Sequence, residues 1–186
     1  INTMGCTKML MEKLMHARAR FSNKTTICTV RYGNVMFSRG SVLPLFFQQI
    51  IEGKDLTVTD KRMTRFLMSL TSATELVMHA INNGKNGDLF IHKAKSAYIY
   101  DLAKACLLIT NSKNKIKIIG IRAGEKISET LATEKELSNS EDMGNFWRIK
   151  PVKDPSEEKY YYKENNPKHY NSSVINKEHI KNICKI

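Results

Sequence analysis

The stretch Thr25–Val35, with the sequence TTICTVRYGNV, decides the fold class of this chain. Its first half is rich in β-branched residues, which favour a buried strand. That strand runs directly into the polar, glycine-containing residues 31–34 (RYGN). In open α/β sheets, ligands bind beyond the carboxyl ends of the strands, so a binding site is expected at this segment.

Helical and strand patterns alternate on both sides of this stretch. Upstream, Leu10, Met11, Leu14 and Met15 have helical spacing and predict a helix of about four turns that starts near Thr7. The alternation predicts an α/β fold with a parallel sheet. Downstream we predict five helices: Pro44–Glu52, a helix from the capping box Ser72-x-x-Glu75 to Gly84, Tyr100–Ile109, a helix after the capping box Thr133-x-x-Glu136, and one near Lys177–Cys184. We also predict strands over Leu56–Thr59, Leu89–His92 and Lys115–Ile121.

Length and composition are those of an ordinary soluble globular protein. The chain has 186 residues, 41% hydrophobic and 26% charged, enough for one domain or one and a half. No run approaches the roughly 18 apolar residues that cross a bilayer, and residues 1–8 are not a secretory leader. We therefore expect a cytoplasmic protein without a membrane span.

The cysteines and histidines indicate no metal site. Four cysteines are far apart in the sequence, with no CxxC pair and no His/Cys pair at ligand spacing, so reduced thiols are expected. The histidines are interpreted as structural or surface residues. These residues are Cys6, Cys28, Cys106 and Cys184, and His16, His79, His92, His169 and His179.

The net charge of +12 raises the question of nucleic-acid binding. Residues 1–65 hold 11 Lys and Arg against 4 Asp and Glu. There Arg31, Arg39 and Arg65 lie singly among apolar and glycine positions, which suits a small polyanion better than a duplex. Tyrosines 160–162 lie beside lysines in an extended segment that begins near residue 150, which leaves base stacking open as an alternative. Packing of this extended arm on a neighbouring subunit is favoured. We expect no nucleic-acid partner.

Several motifs together resemble a known family. Met4-x-x-x-Lys8 on a helix, followed by a strand that ends in RYGNV, resembles the active-site helix and next strand of the extended short-chain dehydrogenase/reductases, which carry Tyr-x-x-x-Lys and Arg-Tyr-x-Asn-Val. The longer strings resemble the capsular-polysaccharide branch, which contains inverting UDP-N-acetylglucosamine 4,6-dehydratase/5-epimerases and relatives described as UDP-glucose 4-epimerases. These strings are RYGNVMFSRGSVLPLF, LTVTDKRMTRFLMSL, GDLF, GIRAGEKISETL and EDMG.

The resemblance implies the C-terminal half of a Rossmann-type NAD(P)-binding domain with a smaller α/β substrate-binding domain. The family's glycine-rich dinucleotide loop and Thr-Asp-Lys segment are not in these 186 residues, and the first residue is Ile1. We therefore expect a C-terminal portion that is inactive alone. The expected parts are residues 1–37 from the Rossmann domain, residues 38–149 for substrate binding with returning Rossmann elements near 64–93, and residues 150–186 as an extended arm and terminal helix.

Met4 and Lys8 are the predicted catalytic pair. Met4 stands where most relatives have Tyr, and a thioether cannot transfer a catalytic proton. Some members of the dehydratase branch carry this Met, so it favours that branch; a Met that fills a helix–sheet gap is the alternative. Lys8 becomes the local candidate for proton transfer, with a solvated helix lysine as its alternative.

The resemblance also implies the ligands and the residues that bind them. The cofactor is NADP or NAD, held by Lys8, Tyr32 and Val35. Where close relatives have His, this chain has Ala123, so no role is assigned there. For Thr57 and Thr59, plain strand propensity is an equal explanation, and a lone Asn or Arg is often a turn or surface residue. The predicted substrate-binding residues are Asn34, Arg39, Ser41, Thr57, Thr59, Arg65, Arg122 and Glu125.

The function implied is conversion of a UDP-N-acetylhexosamine for surface polysaccharide synthesis, by 4,6-dehydration with inversion at C5. The first alternative is a UDP-hexose 4-epimerase, against which Met4 argues mildly. The second is a non-catalytic remnant, and a basic nucleic-acid-binding module is the weakest. A UDP-sugar and a second copy of the chain in a homo-oligomer are the expected partners.

Overall fold

The computed structural model describes residues 2–151 and 169–173 of the chain. The chain divides into two compact units, each assembled from three separate stretches. The first unit draws its described residues from Ile1–Tyr32, Thr71–Lys93 and Thr130–Tyr170. The second unit draws them from Gly33–Leu70, Ala94–Glu129 and Asn171–Ile186.

Helices and strands alternate through much of the described chain. Three strand pairs are parallel: β1 with β5, β2 with β4, and β3 with β7. The predicted α/β class with parallel pairing is confirmed. In chain order the elements are α1 (Thr3–Phe21), β1 (Thr29–Arg31), β2 (Asn34–Val35), α2 (Val42–Ile51), β3 (Leu56–Val58), β4 (Thr64–Met68), α3 (Leu70–Asn83), β5 (Leu89–His92), β6 (Lys95–Tyr98), α4 (Ile99–Ile109), β7 (Ile116–Ile118), β8 (Thr130–Thr133), α5 (Glu134–Ser138), β9 (Ser140–Asp142), β10 (Phe146–Ile149) and β11 (His169–Asn171).

The first unit is built on a four-stranded sheet in the order β1-β5-β10-β9. Strands β1 and β5 are parallel, and β10 and β9 continue the sheet in antiparallel fashion. Helix α3 packs on this sheet through Leu76 and Ala80, which contact Phe90. A side chain at Gly84 would lie 2.5 Å from the Ala80 carbonyl oxygen, so only glycine allows the chain to leave α3 this close to the helix.

The second unit contains a three-stranded sheet in the order β2-β4-β6 and the separate parallel pair β3-β7. Its core joins α2, α4 and these strands. Phe46, Leu56, Val58 and Ala103 are all but fully buried there. Burial of a large apolar side chain stabilises a fold by roughly 1.5–3 kcal/mol, so this core fixes the N-terminus of α2 relative to the end of β3.

The ends of the predicted elements shift, and one predicted cap is wrong. Helix α1 begins earlier than expected because the Asn2 Oδ1 accepts a hydrogen bond from the Gly5 N–H at 2.8 Å. Ser72 is not a cap, since α3 already begins at Leu70. The second capping box is confirmed: Thr133 N–H donates to Glu136 Oε2 at 2.8 Å, and Glu136 N–H donates to Thr133 Oγ1 at 3.3 Å.

Part of the predicted organisation lies beyond the described residues. The terminal helix near Lys177–Cys184, tyrosines 160–162 and most of the arm over 150–173 lie outside them. Within that arm, β11 pairs with β8. The boundaries 1–37, 38–149 and 150–186 stay a prediction.

Candidate functional site

A cavity of about 340 Å³ lies within the second unit. This volume falls in the range of about 300–1,000 Å³ that is typical of small-molecule sites. Four buried apolar residues line part of it: Val58, Met63, Leu67 and Ile99. The cavity also gathers seven of the eight predicted substrate-binding residues, namely Asn34, Ser41, Thr57, Thr59, Arg65, Arg122 and Glu125.

Arg39 is the predicted substrate residue that does not line this cavity. It is exposed in the loop before α2. The neighbouring Gly40 and Ser41 do line the cavity, with Gly40 at a φ of +74° that favours glycine.

The N-terminus of α2 opens onto the cavity. Ser41 is its N-cap residue but makes no side-chain cap hydrogen bond. The buried Ser41 Oγ has no hydrogen-bond partner among the described residues. The first backbone N–H groups of a ten-residue helix and an unpaired hydroxyl together suit an anion.

Most of the side-chain N–H groups of Arg65, on β4, are bound to acceptors of the second unit itself. Its Nη1 donates to the Thr64 carbonyl at 2.7 Å and the Ile127 carbonyl at 3.3 Å, and its Nη2 donates to the Lys126 carbonyl at 2.8 Å. Its Nε lies 3.5 Å from Glu129 Oε1. A guanidinium has five N–H groups, so one N–H on Nη2 is left for a ligand.

Arg122 is differently placed. It is exposed in the loop after β7, in a turn where its backbone N–H donates to Glu125 Oε2 at 3.0 Å. Across residues 2–151 and 169–173, its guanidinium has no hydrogen-bond or ion-pair partner. Of the two predicted substrate-binding arginines that line the cavity, Arg122 is the one whose full set of side-chain donors is available.

Thr57 and Thr59, both predicted to bind substrate, make side-chain contacts with other residues of the second unit. Gln49 Nε2 donates to Thr57 Oγ1 at 2.8 Å, and Thr57 N–H donates to Gln49 Oε1 at 3.0 Å. The Thr59 hydroxyl contacts Met63 Sδ at 3.3 Å. Sequence reasoning missed Gln49, which was indistinguishable from any polar residue on a predicted helix.

Asn34 is fixed by a carboxylate that the sequence analysis also missed. In the amide orientation that its surroundings favour, the Asn34 Nδ2 donates to Glu129 Oε2 at 3.0 Å and to the Phe66 carbonyl at 3.2 Å. Burial raises the pKa of the Glu129 carboxyl, and Arg65, the Phe66 N–H and Lys126 oppose that shift. The only signal in the sequence was the position of Glu129 inside the string GIRAGEKISETL.

The predicted catalytic pair lies in the first unit, on α1. Met4 is 67% exposed, and Lys8, one turn later, is exposed as well. Tyr32 follows the end of β1 with 48% of its surface exposed. Val35 is half-buried on β2, opposite Met68 of β4.

An ionic network in the first unit links α1 to β1 and α5. Arg31 donates through Nε and Nη2 to Glu12 at 2.7 and 2.6 Å, and through Nη1 and Nη2 to Glu136 at 3.0 and 2.7 Å. Its fifth N–H reaches the Leu131 carbonyl at 2.9 Å. Burial lowers the pKa of Arg31, but the two carboxylates outweigh it and raise the pKa. Every donor of Arg31 is therefore committed to the fold.

Two of the histidines lie against aromatic or buried surroundings in the first unit. His79 packs on Phe90 and Phe146, with ring centroids 5.4 and 4.6 Å apart. Burial lowers the pKa of His92.

Residues 2–151 and 169–173 contain no cluster of three metal-binding side chains. No helix in the described part of the chain is both long and apolar enough to span a bilayer.

Comparison with known proteins places the chain in a family. Residues 1–151 match the family described as polysaccharide biosynthesis protein. A UDP-glucose 4-epimerase of Rickettsia bellii is 53% identical over 151 residues, which are 80% of this chain and 44% of that protein. The chain thus spans less than half the length of this relative.

Solved structures show the same fold. Pen from Bacillus thuringiensis has 34% identity and a TM-score of 0.83, over 97% of this chain and 55% of that one. UDP-glucuronic acid 4-epimerase from Bacillus cereus, solved with UDP-glucuronic acid and NAD, has 23% identity and a TM-score of 0.58, over 66% of this chain and 41% of that one. The α/β fold corresponds to part of a Rossmann-type fold. This chain belongs to the polysaccharide biosynthesis protein family.

Proposed function

We propose that the cavity of the second unit binds a UDP-sugar, and that the chain is part of an NAD(P)-dependent enzyme of surface polysaccharide synthesis. The observation that carries this proposal is the gathering of seven predicted substrate residues around one cavity. Their positions are spread from Asn34 to Glu125, so their meeting is a property of the fold.

The lining of the cavity matches the chemistry of a nucleotide diphosphate sugar. Arg122, the N-terminus of α2 and the Ser41 hydroxyl supply positive potential and donors for the diphosphate. Buried apolar residues such as Val58 and Ile99 provide contacts for the faces of rings. This combination of an apolar lining with a few polar groups is typical of small-molecule sites.

The residues proposed to hold the cofactor have suitable chemistry. Lys8 and Tyr32 have exposed side chains that end in hydrogen-bond donors, which fit ribose hydroxyls. Tyr32 also follows the carboxyl end of β1, a strand parallel to β5, where nucleotides bind in α/β sheets. When bound, NAD(P) supplies hydride transfer.

The principal candidate reaction is 4,6-dehydration with inversion at C5. Met4 cannot exchange a proton, so an acid/base at its position is excluded. Lys8 lies one turn along α1 and carries the titratable group. We assign to Lys8 the movement of the proton at C5 of the sugar, and the chain alone is expected to be inactive.

A second candidate is 4-epimerisation. The observation that favours it is the name UDP-glucose 4-epimerase of the Rickettsia bellii relative, at 53% identity. In that reaction the proton at C5 stays in place.

The two reactions are distinguished by solvent exchange. The test protein is a chimera in which residues 1–151 replace the aligned segment of the Rickettsia bellii relative. It is incubated with UDP-N-acetylglucosamine and NAD(P) in D2O. Deuterium at C5 in a 4-keto-6-deoxy product supports the dehydratase, whereas a C4 epimer that retains its C5 proton contradicts it and supports the epimerase.

A further inference from the structure

Glu129 stands out among the carboxylates of the second unit. It does not itself line the cavity, yet it contacts two residues that do. Its Oε2 accepts from Asn34 Nδ2 at 3.0 Å, and its Oε1 lies 3.5 Å from Arg65 Nε. Its backbone is anchored as well, because Glu129 N–H donates to Ser172 Oγ at 2.9 Å and Ser172 N–H donates to the Glu129 carbonyl at 2.9 Å.

The first consequence concerns the hydrogen-bonding character of Asn34. A side-chain amide has two N–H donors and one carbonyl acceptor. In the orientation that its surroundings favour, both donors of Asn34 are committed, one to Glu129 and one to the Phe66 carbonyl. Asn34 therefore meets a ligand as an acceptor, which suits a hydroxyl or amide N–H and disfavours a phosphate oxygen.

The second consequence concerns charge. Arg65 is half-buried, and the carboxylate beside it offsets its positive charge. Glu129 thus reduces the positive potential that β4 offers to the cavity. A ligand with an additional negative charge gains less from such a site.

We propose that Glu129 is a positioning residue that makes the cavity prefer a nucleoside diphosphate joined to a sugar over the free nucleoside diphosphate. This inference rests on the proposed function and adds a mechanism of selection to it. A sugar brings the hydroxyl and amide donors that Asn34 can accept. A free diphosphate brings a terminal phosphate with about one more negative charge, because its second pKa is close to 6.

The test compares UDP and UDP-N-acetylglucosamine on the 186-residue chain by calorimetry at pH 7.5. In the Glu129→Gln variant the charge is lost while a side-chain oxygen remains to accept from Asn34. We expect the affinity for UDP to rise about three- to ten-fold and that for UDP-N-acetylglucosamine to rise less, so that the selectivity falls. A control variant, Glu52→Gln, removes a carboxylate that pairs with Lys54 away from the cavity, and both affinities should stay unchanged.

A second variant keeps the inference falsifiable if Glu129→Gln does not fold. Asn34→Ala removes the acceptor, so UDP-N-acetylglucosamine should bind about five- to ten-fold more weakly while UDP is unaffected. Unchanged selectivity in the folded variants, with both ligands bound by the wild type, would overturn this inference alone. If neither ligand binds the wild-type chain, the proposed function is overturned and the inference with it.

Discussion

Arg31 of the first unit and Arg122 of the second unit differ in how many partners their guanidinium groups have. In the first unit, all five N–H groups of Arg31 are bound to Glu12, Glu136 and the Leu131 carbonyl. In the second unit, the guanidinium of Arg122 has no partner among residues 2–151 and 169–173. A charge with a full set of partners stabilises the fold, whereas a charge without partners at a cavity is available to a ligand. Arg65 lies between these extremes.

The largest effect is expected at Lys8 on α1, the residue to which the proposed function gives the proton transfer. In the chimera with the Rickettsia bellii relative, Lys8→Met should lower turnover about 10²–10⁴-fold, because general acid–base catalysis is lost. Steady-state rates measure this, with Lys13→Met on the same helix as the control. A rate within threefold of the parent chimera would show that Lys8 is a solvated helix lysine.

The ionic network of the first unit should control its stability. Arg31→Ala leaves Glu12 and Glu136, which are 16% and 24% exposed, without their shared cation. The free energy of unfolding should fall by about 2–4 kcal/mol, since partly buried carboxylates lose their partner. Denaturant unfolding gives this value, and hydrogen exchange should localise the loss to α1 and α5. The Arg20→Ala variant, at the exposed end of α1, should change stability by less than about 0.5 kcal/mol.

The charge of Arg122, which has no partner among the described residues, should control the affinity of the second unit for UDP. Arg122→Ala should weaken UDP binding about 10- to 100-fold, as expected for hydrogen bonds to charged groups, with no loss of thermal stability. Arg39→Ala, which removes an exposed arginine that does not line the cavity, serves as the control in the same calorimetric titration. Equal effects of the two substitutions would mean that general charge attraction explains the binding.

The smallest effect is a difference in how the units respond to acid. Arg31 lowers the pKa of Glu136 against the opposing effect of burial, so its stabilisation is present above the unfolded pKa of about 4.3 and is lost as pH falls through the lowered folded value. Burial raises the pKa of Glu129 in the folded state. The contribution of Glu129 to the free energy of unfolding is therefore largest at low pH and is lost as pH rises through this raised pKa. From pH 7 to about pH 3, exchange-rate-corrected protection should fall around residues 133–138 once the pH is below about 4.3, and it should rise around residues 64–68. Glu136→Gln and Glu129→Gln should each abolish the response in its own unit, and parallel responses in both units would contradict this assignment.

Much of the fold could be predicted from the sequence, because the residues that start and end many helices lie close together in the chain. The Thr133 capping box and the Gly84 stop are confirmed, since each depends on residues within a few positions. Strands β4 and β10 have five and four residues, as many as or more than the strands that were predicted, and were missed because they depend on pairing with strands that are distant in the sequence. Their pairing is set by partners about 30 to 60 residues away.

The site was predictable as a set of residue types but not as a set of contacts. The family motifs contain Asn34, Arg65 and Arg122 and predict a shared ligand. They do not distinguish an arginine committed to its own chain from one that is available, because the acceptors of Arg65 are backbone carbonyls of residues 64, 126 and 127. Glu129 and Gln49 act through other side chains, and no local pattern marks such residues.

The most direct test of the account is a titration of the isotope-labelled 186-residue chain with UDP, followed by NMR. The account predicts saturable shifts that are largest at the N–H groups of residues 40–42, 57–59 and 122–125, and their loss in Arg122→Ala. Absence of saturable shifts, or shifts that map to α1 instead of these three segments, would contradict the claim that the cavity of the second unit is the nucleotide-sugar site.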